Sequence, residues 1–97
     1  MSMRNNKQGK NMKVKATSYT GKQLTYMGTQ ARYGVIATDP KVIPLGSKVY
    51  IPYFDKVFIA EDTGSAIKGN KIDIWLPTYK EAMNWGIRNI DIILLDK

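Results

Sequence analysis

From Lys13 onward the chain runs in short apolar stretches cut by turn residues at close spacing, the pattern of a β-rich domain. "VKATSYT" (14–20) alternates and is β-branched, which predicts a first strand. Residues 21–33 are polar and carry two glycines, and they read as a long loop. "YGVIATDP" (33–40) predicts a strand stopped by Asp39-Pro40, because the residue before proline is pushed out of the helical region. "VIPLGSKVYIPYF" (42–54) predicts a turn at 44–46 and then a strand. "KVFIAED" (56–62), "KIDIWL" (71–76) and "RNIDIILL" (88–95) supply three more.

One helix is signalled between the last two strands. Thr78 precedes Glu81 by three residues, the spacing of a capping box, and Tyr79, Ala82 and Met83 form an apolar stripe before a stop at Gly86. Six short strands, one short helix and long irregular loops suit a small closed β-barrel, which leaves no edge strand to protect.

Composition narrows the chemistry. Ninety-seven residues at 43% hydrophobic and 24% charged fit one globular domain with a small core. There is neither cysteine nor histidine, so disulfides, thiolate metal sites and imidazole bases are excluded, and acid–base work falls on carboxylates, tyrosines or lysines. The net charge of +7 is concentrated in residues 1–15, which hold Arg4, Lys7, Lys10, Lys13 and Lys15 and no acid. The rest of the chain is nearly balanced, so the domain lacks the basic face that nucleic-acid binding requires, and no nucleic-acid partner is expected.

Residues 1–12 read as a basic flexible leader or tag, with the domain over 13–97. The leader has no apolar core of a secretory signal, and no stretch is long and apolar enough to span a membrane. No Walker or dinucleotide fingerprint and no calcium- or magnesium-loop spacing occurs, so no cofactor and no metal is expected.

Three aspartates carry the candidate chemistry. Asp39 before Pro40 fits a turn residue that accepts backbone hydrogen bonds. Asp62 ends a strand whose positions Phe58 and Ala60 are apolar, so by period two it shares their face, and Asp62-Thr63-Gly64 also fits a plain turn. Asp73 sits inside "KIDIW" between Ile72 and Ile74, an uncommon place for aspartate, on the face of Trp75; that face is either solvent or a site. Gly64 and Gly69-Asn70 supply turns that would fold the strand of Asp73 back beside that of Asp62. Two carboxyl groups in one groove, with a tryptophan restricting water, would favour a proton held near neutral pH, which is what a general acid for glycosidic cleavage needs. Lys68 and Lys71 read as solvated, or as contacts for a substrate carboxylate or phosphate.

Four ordered blocks, "ATSYT" (16–20), "GVIATDPKVIPLGSKVYI" (34–51), "AEDTGSAIKGNKIDIW" (60–75) and "AMNWGIRNIDIILL" (82–95), resemble the three-aspartate (3D) domain of bacterial cell-wall proteins. The aspartates that name the family would be Asp39, Asp62 and Asp73. The resemblance implies a double-psi β-barrel similar to that of membrane-bound lytic transglycosylase A and of the muralytic stationary-phase survival proteins. It implies cleavage of the MurNAc-β-1,4-GlcNAc bond of peptidoglycan with 1,6-anhydro-MurNAc ends, Asp73 serving as acid and base and Asp62 supporting it. It also implies that Thr17 helps hold substrate; Tyr19, Asp39, Gly64, Lys68 and Gly69 complete the expected substrate-contacting set. The partners would be glycan strands and other domains of a longer parent, with the protein outside the cell or in the bacterial wall, or phage-encoded and acting there. A non-catalytic glycan-binding module on the same barrel is the alternative. Ser65 departs from the family pattern, where glycine is common, and 97 residues are expected to leave no room for the second domain that helps form the cleft of the larger enzyme.

Overall fold

Alternation of apolar and polar residues builds the barrel directly. In the computed structural model, which describes residues 9–96, β1 (Gly9–Tyr19), β2 (Val35–Thr38), β3 (Lys48–Ile51), β4 (Lys56–Asp62), β5 (Lys71–Trp75) and β6 (Arg88–Leu95) close in the order β1-β5-β2-β4-β3-β6. Val14 and Ala16 of β1, Ile72 and Ile74 of β5, Ile36 of β2, Phe58 and Ala60 of β4, Val49 and Ile51 of β3 and Ile92 of β6 fill the interior. Each contributes by the period-two rule, so the residues between them face outward.

The order interleaves two chain-consecutive pairs. β5 lies between β1 and β2, and β2 lies between β5 and β4, with β1/β5 and β2/β4 parallel and the remaining four pairings antiparallel. This interleaving is the double-psi arrangement, and it places β5 and β2 side by side at the centre of one wall. It also corrects the expected return of β5 beside β4: those strands are not neighbours, because β2 inserts between them and the 63–70 connection crosses over instead of making a hairpin.

β1 starts at Gly9, earlier than the strand read from the sequence, and Met12 joins the core opposite Ile92 on β6. Residues 1–8 of the expected leader lie outside the described residues. A Cβ at Gly9 would stand 2.1 Å from the Leu94 carbonyl oxygen, so this close strand approach admits only glycine.

The helix α1 (Tyr79–Trp85) begins where Thr78 Oγ1 accepts the Glu81 N–H and ends at Gly86 (φ 65). Its expected stripe is not what buries it. Tyr79 and Met83 are exposed, and Trp85 packs inward, its Nε1 donating to the Ala16 carbonyl at 3.0 Å. Trp85 replaces the stripe, its ring stacked on Phe54 at 5.3 Å and edge-on to Tyr53 at 5.1 Å. Among the described residues no helix is long and apolar enough to cross a membrane.

Candidate active site

The site grows from one row of residues across four strands. Thr17 on β1 pairs with Asp73 on β5, Asp73 pairs with Ala37 on β2, and Ala37 pairs with Asp62 on β4. The two carboxylates therefore stand two strand spacings apart, about 10 Å between backbones, with a residue as small as alanine between them.

Asp62 reaches this row through an irregularity. The β2–β4 register runs Ile36 to Ala60 and then Ala37 to Asp62, so Glu61 is an extra, unpaired residue. Such a bulge shifts the alternation by one position. Phe58 and Ala60 face the core as expected, but Asp62 does not share their face; it meets the Tyr19 hydroxyl on the outer wall. The bulge also releases Glu61 sideways, where Arg32 Nη1 and Nη2 donate to Glu61 Oε1 and Oε2 at 2.9 and 3.0 Å.

Asp62 accepts three hydrogen bonds: Tyr19 Oη to Oδ2 at 3.0 Å, and the Tyr26 and Thr63 N–H groups to Oδ1, both at 2.9 Å. Burial and the neighbouring Asp62 charge push the Tyr19 phenol well above its ordinary range, so it remains a donor. Asp62 is thereby fixed in orientation.

Asp73 is held more loosely. Its side chain is half-buried, and Thr17 Oγ1 lies 2.9 Å from its Oδ1. Burial raises its affinity for a proton above the usual carboxylate range; the Thr17 hydrogen bond opposes this, the Asp62 charge adds to it, and Lys71 opposes it weakly. Thr17 Oγ1 also lies 3.4 Å from the Ile72 carbonyl. The hydroxyl thus has an acceptor for its own proton when Asp73 is protonated, and it donates to Asp73 when that proton is gone.

The remaining candidates fall into two groups. Asp39 is buried at the end of β2, and its Oδ2 and Oδ1 accept the Gly69 and Lys41 N–H groups at 2.8 and 3.0 Å. Those bonds hold its carboxyl below the usual range and pin the β4–β5 crossover to the β2–β3 turn. Gly69 takes φ 70, a left-handed conformation that favours glycine, whereas Gly64 does not adopt a positive φ. Lys68 is exposed on the crossover, and with Gly64 and Tyr26 it borders an open groove of about 400 Å³. A second groove of about 490 Å³ is bordered by Trp75, whose Nε1 donates to the Gly21 carbonyl at 2.8 Å, together with Lys22, Gln30 and Pro77.

Glu61, Arg32, Thr29 and Tyr26 are missed by sequence reasoning. The adjacent "ED" at 61–62 was the available signal, but a bulge that separates the fates of two neighbouring acids leaves no mark in composition.

A family model described as the 3D domain matches residues 34–96. The chain belongs to the 3D domain family. It is similar to the cell wall-binding protein YocH of Bacillus subtilis (strain 168), with 41% identity over 95% of this chain and 35% of YocH. It is also similar to the putative cell wall shaping protein YabE of the same organism, with 42% identity over 99% of this chain and 26% of YabE. The SPbeta prophage-derived protein YorM of that strain shares 36% identity over 91% of this chain and 43% of YorM. The 3D domain here thus spans less than half the length of each of these relatives. Among solved structures, MltA of E. coli superposes with a TM-score of 0.62 at 20% identity, over 79% of this chain and 28% of MltA. LtgG, a lytic transglycosylase of Burkholderia pseudomallei, does so with a TM-score of 0.53 at 21% identity, over 77% of this chain and 28% of LtgG. At these identities the likeness is one of fold.

Proposed function

We propose that this 3D domain is a peptidoglycan lytic transglycosylase in which Asp73 serves as the single acid and base. The observation that carries the reading is Asp73 itself: half-buried on the outer wall of the barrel, shifted toward its protonated form by burial and by Asp62, with the Thr17 hydroxyl fixed on Oδ1. Barrel likeness to two lytic transglycosylases supports it, as do relatives named for wall binding and wall shaping.

Protonated Asp73 donates to the glycosidic oxygen between MurNAc and GlcNAc as positive charge develops at the MurNAc anomeric carbon. The glycosidic bond breaks, and the GlcNAc leaves with that proton on its 4-oxygen. Asp73, now a carboxylate, takes the proton from the MurNAc 6-hydroxyl, whose oxygen bonds to its own anomeric carbon and closes the 1,6-anhydro ring. Asp73 ends protonated, as it began. A hydroxyl already on the substrate has a high effective concentration over solvent, so no second carboxylate is needed as nucleophile. Asp62, tied by three donors, adds negative charge that stabilises the acid form of Asp73 and the developing cation. Thr17 alternates between acceptor and donor as the proton leaves and returns.

Asp39 and Gly69 are assigned to shaping the crossover, and Gly64, Lys68, Thr17 and Tyr19 to the walls against which glycan lies. The protein would act at the bacterial wall, from the host or from a phage, as one domain of a longer chain. Incubation with sacculi tests the assignment: anhydro-muropeptides are expected, and reducing ends would instead indicate a hydrolase. The name of YocH favours one other reading, a wall-binding module that grips glycan without cutting it. Retention on sacculi with no new glycan ends would select that reading.

A further inference from the structure

The loop between β1 and β2 is held with unusual firmness for a surface segment that presents apolar side chains to solvent. Leu24, Tyr26 and Met27 are 66%, 70% and 50% exposed. Beneath them the loop is clipped to the β4 bulge. Arg32 grips Glu61 with both nitrogens, Thr29 Oγ1 donates to Glu61 Oε1 at 2.5 Å, and the Met27 N–H donates to the Glu61 carbonyl at 3.1 Å. Thr25 and Thr29 close the turn on each other through a 2.7 Å hydroxyl pair. Glu61 is buried, so this is a desolvated anchor placed under an exposed tip.

Solvent-exposed apolar side chains on a rigid support mark a contact surface. Tyr26 is the member of the loop that joins the acidic pair, because its own N–H donates to Asp62 Oδ1. It also borders the groove that continues past Thr63 to Ser65 and Lys68, with Leu45 and Pro40 on the far side. An aromatic face, short aliphatic walls and a few hydroxyl and ammonium groups suit the ring of a pyranose, whose C–H face is apolar and whose rim is polar.

We propose that Tyr26 forms the stacking wall of a sugar subsite beside Asp62, held in place by the Arg32–Glu61 clamp and occupied by one ring of the glycan strand. The subsite rests on the reading of the wall glycan as substrate, but it does not require that the strand be cut. Occupancy would fix the strand relative to Asp73, since ring wall and Asp62 orientation are set by the same residue.

The experiment uses peptide-free glycan strands released from sacculi by an amidase, with binding and cleavage measured on the whole chain. Tyr26→Ala keeps the backbone N–H that orients Asp62 and removes only the ring; affinity for the strands is expected to fall about tenfold. Tyr26→Trp is expected to restore affinity. Arg32→Gln, which loosens the loop, is expected to reproduce the affinity loss in part. If the wild-type chain binds but does not cut and Tyr26→Ala still weakens binding, the subsite stands and the transglycosylase reading falls. If Tyr26→Ala binds as the wild type does, or loses turnover without losing affinity, the subsite is overturned.

Discussion

Thr17 and Asp73 face each other across the parallel β1–β5 pair, with the threonine hydroxyl 2.9 Å from Asp73 Oδ1. Because β1 and β5 are far apart in sequence and parallel, no local motif links them. Among the described residues Thr17 is the hydrogen-bond partner of the Asp73 side chain, and its other neighbours act on it through charge and burial.

Those neighbours predict opposite shifts in the pH profile. Cleavage requires the protonated form of Asp73, so kcat/KM is expected to fall as pH rises through a value above the ordinary carboxylate range. Asp62→Asn removes a charge that raises the Asp73 pKa, and the alkaline limb should move to lower pH. Lys71→Gln removes a charge that lowers it, and the limb should move to higher pH. Rates on solubilised glycan across pH measure both; shifts in the same direction would contradict the electrostatic assignment.

The same shift has a consequence for stability. A carboxyl whose folded pKa is raised contributes most below its unfolded pKa, and that contribution is lost as pH rises through the folded value. At neutral pH the charged Asp73 therefore opposes folding. Asp73→Asn is expected to melt at or above the wild-type temperature at pH 7, with the difference closing at about pH 3. Thermal denaturation at the two pH values checks the sign, which is opposite to that for a carboxylate serving a purely structural ion pair.

Tyr19→Phe removes the hydroxyl that donates to Asp62 Oδ2 while keeping the ring. Loss of one such bond to a charged acceptor is worth about 1.5 kcal/mol, so turnover is expected to drop by about one order of magnitude with the fold intact. Steady-state rates and a circular dichroism melt separate the two effects.

Arg32→Ala leaves Glu61 buried without its guanidinium partner. With the arginine side chain about half exposed (49%), the cost is expected to be about 1 kcal/mol, read as a lower urea midpoint at unchanged slope. The double variant Arg32→Ala, Glu61→Gln should recover part of that loss.

Much of the barrel was legible because apolar alternation is local. β4 and β6 match the strands read from the sequence, and the Thr78 cap and Gly86 stop bound the helix as their chemistry demands. Strand order was not legible, since β2 enters between β4 and β5 through pairings between segments far apart in the chain. The acidic pair was visible as two aspartates at the ends of one loop. The device that brings them into a row was not: Glu61 looks like any strand residue until its partner strand skips it. Asp39 was read as a turn residue and as a substrate contact. Its two backbone donors give the turn role a physical basis, because they occupy both of its oxygens.

The central claim, that Asp73 alone returns and withdraws one proton while the substrate attacks itself, is tested most directly by digesting sacculi in ¹⁸O-labelled water and weighing the released muropeptides. The account predicts anhydro-muropeptides carrying no ¹⁸O at the anomeric carbon from the wild-type chain and no release from Asp73→Asn. Incorporation of ¹⁸O at that carbon, or release by a folded Asp73→Asn protein, would contradict it.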